Sequence, residues 1–201
     1  MAALKALADE LHKNPKYYNT VVVDSLTELQ QIDMREVMQD QYNKKPETTD
    51  IYVPSPREWG KSGSRVKEIV RYLRDLPNHT IVTALLREEK DEKTGIVKLV
   101  PDVPGQLKAQ VPGFFDIVGL MQAVENNGTI IRTLQFAKTR RVIAKDRTST
   151  LPDLFEEPSI PAMWDYIRSR NGSVDRDVTS ALQAAARNTP SPSPNTEKGN
   201  K

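Results

Sequence analysis

The run Thr20-Val21-Val22-Val23-Asp24-Ser25-Leu26-Thr27-Glu28-Leu29 constrains the fold more than any other stretch of the chain. Four β-branched residues without polar alternation suit a strand buried on both faces, as in a parallel sheet flanked by helices. Asp24 stands at the carboxyl end of that strand. Ser25 is a helix-capping residue type and Glu28 lies three positions on, a capping-box spacing that predicts a helix through about Gln41. Before the strand, Leu4, Leu7 and Leu11 recur at helical spacing, which predicts an amphipathic helix over residues 2–13 ending near Asn14-Pro15. Helix, strand, helix in this order specifies an α/β chain.

The alternation continues. Residues 42–63 carry three prolines and two glycines among polar residues and predict a long loop, with a short extended piece at Ile51–Val53. Val66, Ile69, Val70 and Leu73 mark a further amphipathic helix stopped by Pro77, and His79–Leu86 reads as a second buried strand. A second polar loop is expected over residues 88–112. Phe114–Val124 and Thr129–Phe136 are strand-like and flank Asn127-Gly128, a strong hairpin signal. Arg141–Ala144 predicts one more short strand. Ile160, Met163, Trp164 and Ile167 outline a last helix. The expected organisation is therefore a folded α/β core over residues 1–170 and a disordered polar tail over 171–201, rich in Asn, Ser, Thr and Pro.

Composition removes several classes of function. No cysteine is present among 201 residues, which excludes disulfides, thiolate nucleophiles and cysteine-ligated zinc and suits a reducing cytoplasm. No stretch approaches the ~18 apolar residues that read as a membrane span, and the first residues lack a signal-peptide core. The 29 basic and 27 acidic residues leave a net charge of +2, so any nucleic-acid contact has to come from local patches. His12 and His79 lack metal-ligand spacing and are expected to be structural. No G-x-S-x-G or H-E-x-x-H string supports a hydrolase or metalloenzyme.

An apolar strand ending in Asp24 is chemically what a Mg2+-nucleotide site uses, because the strand terminus fixes a carboxylate beside the phosphates. The same string also describes a buried strand that ends in a helix-capping Asp-Ser. Gly60-Lys61-Ser62 approaches the phosphate-loop pattern G-x-x-x-x-G-K-[ST], but Ser55 occupies the position of the first glycine, and Trp59 would crowd a phosphate cradle. It is expected to be an ordinary loop. Lys145 and Arg147, two residues apart at a strand end, could hold a γ-phosphate or form a solvated turn with Asp146. Lys44, Lys45, Lys61 and Arg65 in the first loop, with Lys93, Lys98 and Lys108 in the second, are candidate phosphate contacts for a nucleic acid or simply solvated cations.

The order of these pieces resembles the RecA family from its Walker B strand onward, and most closely the phage RecA-like single-strand-annealing ATPases. The matching text is VVVDSLTEL, REWGKSGSRVKEIVRYLRDLP, HTIVTALLRE, PGFFDIVGLMQ and VIAKDRTSTLPDLFEEP, roughly residues 17–170. The resemblance implies a partial RecA-like core with a mostly parallel central sheet, ATP and Mg2+ as cofactors, single-stranded DNA as partner and a homo-oligomer as the working form. It makes Asp24 the Mg2+-associated acid with Ser25 beside it, and Thr83 the strand-end residue that senses nucleotide state. Lys145 and Arg147 match cations that reach the nucleotide of an adjacent subunit. The segments 42–63 and 88–112 match the two DNA-facing loops.

The chain departs from the family in one respect: it contains no P-loop, and its text begins almost at Walker B. The implied expectations are a truncated or split form whose P-loop unit is trimmed from this sequence, encoded in a separate chain or lost, weak nucleotide binding by these residues alone, and a single-strand-binding protein as a further partner. A non-catalytic DNA-binding or assembly subunit of the same fold is the second reading, and an unrelated α/β interaction module the third.

Overall fold

Two short strands, β1 (Thr20–Val23) and β2 (His79–Val82), lie side by side and parallel, in register from Thr20 opposite His79 to Val23 opposite Val82. The structure, a computed structural model, describes residues 1–170. The expected tail and the boundary at 170 lie outside or at the edge of the described residues. Around the parallel pair stand α1 (Ala2–Lys13), α2 (Leu26–Lys44) and α3 (Pro56–Arg74).

The core forms where the apolar stripes of these helices meet. Leu26 of α2 and Val66 and Val70 of α3 pack with Val103, Leu107 and Val111, while Ala8 of α1 packs with Ile69, Leu73 and Leu76. Val21 and Val23 close onto the second cluster and Val82 onto the first. Each large aliphatic side chain buried here contributes about 1.5–3 kcal/mol. Val22, pointing the other way, is 59% exposed. The strand is therefore covered on one face, not on both, which corrects the expectation drawn from its unbroken β-branched run.

Half of the first expected loop is helix. α3 starts at Pro56, inside the 42–63 segment, because Ser55 and Glu58 form a capping box: Ser55 Oγ accepts from Arg57 N at 3.2 Å and Glu58 Oε2 accepts from Ser55 N at 2.9 Å. Proline at the first helical position is preorganised for this start. Gly60-Lys61-Ser62 consequently lies inside a helix, with Ser62 fully buried against α2. Ile51–Val53 is a turn, not an extended piece, held by Tyr52 N donating to Asp50 Oδ1 at 2.9 Å.

The second expected loop is largely a hairpin. β3 (Leu86–Lys90) and β4 (Val97–Pro101) pair antiparallel. Asp91 organises their turn by accepting from Lys93 N at 3.0 Å and Thr94 N at 3.2 Å, with Gly95 at φ +69. A one-turn helix, α4 (Leu107–Gln110), and a 3-10 turn at Val111–Phe114 follow. The single strand expected over Phe114–Val124 is divided into β5 (Ile117–Val118) and β6 (Leu120–Asn126) at Gly119, where a Cβ would lie 2.9 Å from the Phe136 ring.

β6 and β7 (Thr129–Gln135) form the hairpin that Asn127-Gly128 predicts, both turn residues having positive φ, 50 and 77. β8 (Lys145–Asp146) pairs antiparallel with β5, and β9 (Leu154–Glu156) adds to β7. The 141–144 run meets β4 through a single bridge from Leu99 to Val142. The last helix, α5, covers residues 160–170 with Met163 and Ile167 buried. The chain has the expected α/β architecture, with parallel pairing in β1–β2 and antiparallel pairing in the other strand pairs of the described residues.

Candidate functional site

The carboxyl ends of β1 and β2 are joined by a closed set of hydrogen bonds. Thr83 N donates to Val23 O at 3.0 Å, and Leu26 N donates back to Thr83 O at 2.8 Å. Parallel strands in register bring the residue after each strand to the same edge, so Asp24 and Thr83 meet there. Thr83 Oγ1 donates to Asp24 Oδ1 at 2.6 Å. Ser25 caps α2 by accepting from Glu28 N at 3.2 Å, and the Asp24–Ser25 peptide is cis. Thr27, buried, accepts from Leu85 N at 3.0 Å and ties the chain after β2 to the first turn of α2. Asp24 itself is exposed.

This arrangement fits a hydrated Mg2+. The ion takes oxygen ligands, keeps several waters and is commonly bound by one or two carboxylates together with substrate phosphates. Asp24 offers a carboxylate held from one side by a hydroxyl donor and open on the other. No group of three or more His, Cys, Asp or Glu side chains suited to a metal occurs among the described residues. A cation at Asp24 would therefore share its remaining ligands with phosphate and water.

Lys145 and Arg147 occupy a different edge. Pairing of β8 with β5 places Lys145 Nζ 3.5 Å from Gly113 O, and Arg147 Nη1 donates to Asp116 Oδ1 at 3.1 Å. Between them Asp146 fixes the following turn, accepting from Thr148 N at 2.8 Å, Thr150 N at 3.0 Å and Leu151 N at 2.9 Å. Burial pushes the Asp146 carboxyl up, but the Thr148 hydroxyl and these backbone donors together hold it below the ordinary value. Burial, with the neighbouring Arg147 charge, lowers the Lys145 ammonium. Among the described residues no hydrogen bond or ion pair joins either cation to Asp24, Ser25 or Thr83.

The expected DNA-facing cations separate into two groups. Lys44 and Lys45 end α2 and Lys93 lies in the β3–β4 turn, all exposed. The other four have acidic partners: Lys61 with Asp40 at 3.8 Å, Arg65 with Asp33 at 2.9 Å and Glu36 at 2.7 Å, Lys98 with Asp91 at 2.7 Å, and Lys108 with Glu89. Lys61 and Arg65 stand on α3 and Lys98 on β4, not on loops. Asp33 is fully buried between α2 and α3, and burial raises its carboxyl against the opposing pull of Ser62 and Arg65. Sequence reasoning missed this buried acid, although its position seven residues after Leu26 on the same helix face carried the signal. Of the two histidines, His12 packs on Tyr72 at 4.6 Å and His79 on Trp164 at 4.3 Å.

Comparison with known proteins locates the chain in a family. A family model described as AAA domain matches residues 1–148, a span that contains Asp24, Thr83, Lys145 and Arg147. No curated protein and no solved structure matches the chain. No helix among the described residues is long and apolar enough to cross a membrane. The strand-end acid, the parallel β1–β2 pair and the helices on it form part of a P-loop NTPase core, in agreement with the family match, and the chain belongs to the AAA domain family.

Proposed function

We propose that this chain supplies the Mg2+-carboxylate side of a RecA-like ATP site and works on single-stranded DNA in recombination or strand annealing, as a homo-oligomer of phage type. The observation that carries the reading is the Asp24–Thr83 pair at adjacent parallel strand ends, a carboxylate oriented by a hydroxyl that can respond to its neighbour's ligands. Lys145 and Arg147 support it, because they stand on an edge apart from Asp24; reaching another subunit's nucleotide exchanges their contacts with Gly113 and Asp116 for phosphate. The phosphate cradle is not among these residues: the sequence has no G-x-x-x-x-G-K-[ST], and its nearest approach, Gly60-Lys61-Ser62, lies inside helix α3. Backbone amides and a lysine from another segment or chain complete the site.

Titration of the purified chain with a fluorescent ATP analogue, with and without Mg2+, tests the reading. Weak, Mg2+-dependent binding without turnover is expected, and Asp24→Asn should remove the Mg2+ dependence while leaving the thermal midpoint unchanged. Tight binding with turnover by this chain alone would contradict the assignment of the cradle elsewhere. Binding of single strands should weaken steeply with salt, since phosphate contacts release counterions.

A further inference from the structure

We infer that the cleft between α3 and the Pro104–Gln110 segment binds a nucleobase stacked on Trp59. The cleft measures about 290 Å3 and is lined by Trp59, Gly60 and Lys67 on one wall and Gln106 and Gln110 on the other. That volume lies at the lower end for small-ligand sites, enough for one planar ring system but not for a folded partner.

The two tryptophans are used differently. Trp164 is stacked on His79 at 4.3 Å, whereas Trp59 is 41% exposed and has no aromatic partner among the described residues. An indole left open in a cleft presents the flat π-surface on which bases stack, whatever their sequence. The floor beside it is bare. A Cβ at Gly60 would meet nothing within 4 Å, and one at Gly63 would only touch Leu107 at 3.9 Å. A ring lying on Trp59 can therefore extend along the helix without displacing a side chain.

Polar groups stand where a nucleotide would need them. Gln106 and Gln110 are linked by an amide hydrogen bond of 3.1 Å and keep a donor and an acceptor for a base edge. Lys67, two turns after Gly60, makes no ion pair among the described residues and is placed for a phosphate. The cations expected to face DNA on this helix, Lys61 and Arg65, are instead neutralised by Asp40, Asp33 and Glu36. The choice of a nucleobase over another planar ring rests on the proposed nucleotide- and single-strand-handling function.

The test uses the full chain carrying Trp164→Phe, so that Trp59 is the single indole. Emission is followed during titration with oligothymidylate and, separately, with thymidine and adenosine monophosphates, while anisotropy of a labelled oligonucleotide reports strand binding independently. Saturable quenching is expected. Quenching by the oligonucleotide alone assigns the base to a single strand; quenching by monophosphates as well assigns it to free nucleotides, and both support the cleft. Trp59→Ala should weaken binding of the quenching ligand about tenfold or more, and Trp59→Phe should restore most of it. Gly60→Leu should abolish quenching with an unchanged or higher thermal midpoint, since a helix-interior glycine is replaced where there is room. Asp24→Asn should leave quenching unchanged. Strand binding by anisotropy without quenching, or with quenching unaffected by Gly60→Leu, would overturn the cleft and spare the single-strand reading. Absence of both signals would overturn both, and quenching by monophosphates without strand binding would overturn the single-strand reading alone.

Discussion

Thr83 and Asp24 are 59 residues apart in sequence and 2.6 Å apart in space, and that one hydrogen bond carries much of the account. Its loss is separable from loss of fold, because both side chains are exposed and the backbone bonds of Val23, Thr83 and Leu26 remain. Thr83→Val is therefore expected to change the thermal midpoint little while weakening Mg2+-dependent nucleotide binding several-fold, up to about tenfold for a net 1.4 kcal/mol. Unchanged affinity in the fluorescent-nucleotide titration would remove Thr83 from the site. Asp24 was legible because it follows an apolar run, and a strand's carboxyl end is where α/β sheets bind ligands; Thr83 entered only through the family resemblance, since the apolar pattern carries the strand on to Leu86, whereas it ends at Val82. The tie from Thr27 to Leu85 and the pairing of Asp33 with Arg65 were not legible. Their roles depend on which helix face meets β2 and α3, and a polar residue on an otherwise apolar stripe does not announce its partner.

At the scale of elements, the two segments expected to be loops show how local chemistry overrides composition. Gly60 and Gly63 read as breakers, yet the Ser55-Pro56-Arg57-Glu58 capping box starts α3 ahead of them and packing of Val66, Ile69 and Val70 holds it. Ser55→Ala should cost about 1 kcal/mol in chemical denaturation, the usual worth of such a cap. A loss within error would mean that packing alone nucleates the helix. In the β3–β4 hairpin the strand pattern was masked by charge, since Leu86–Lys90 contains four charged residues in five.

The charges themselves hold that hairpin's turn. The Lys98 ammonium and backbone donors from Thr94 and Lys93 lower the Asp91 carboxyl to about 2 from an ordinary 3.8. A carboxyl depressed in the fold stabilises it fully above the unfolded value and loses that contribution as pH falls toward the folded one. The stability difference between the native chain and Asp91→Asn should therefore be constant above about pH 5 and shrink as pH falls from about 4 toward 2. A carbon-detected NMR titration of the Asp91 carboxyl gives the same window directly, and a midpoint near 4 would contradict it.

At the scale of the whole molecule, the parallel pair is packed on one side by α1 and α3, and its opposite face carries Val22 at 59% exposure. The sequence pattern of β1 is that of a strand covered twice, and the cover of its second face is not supplied by a helix packed on Val22 among the described residues. The proposed chemistry is divided in the same way, with the acid on one edge and the Lys145–Arg147 pair on another. If those cations act across a subunit boundary, replacing both with Ala should abolish stimulated turnover in an assembly that carries a complete P-loop. The far-ultraviolet circular dichroism of the double variant should match the native chain. Unchanged turnover would confine Lys145 and Arg147 to holding the Gly113–Asp116 turn.

The central claim is that Asp24 is the carboxylate beside a nucleotide-bound cation. Amide relaxation enhancement by Mn2+, substituted for Mg2+ in the presence of excess ATP, tests it even where binding is weak. Nucleotide-dependent broadening centred on Asp24, Ser25 and Thr83 is expected, and it should disappear in Asp24→Asn. Broadening centred elsewhere, or persisting in that variant, would contradict it.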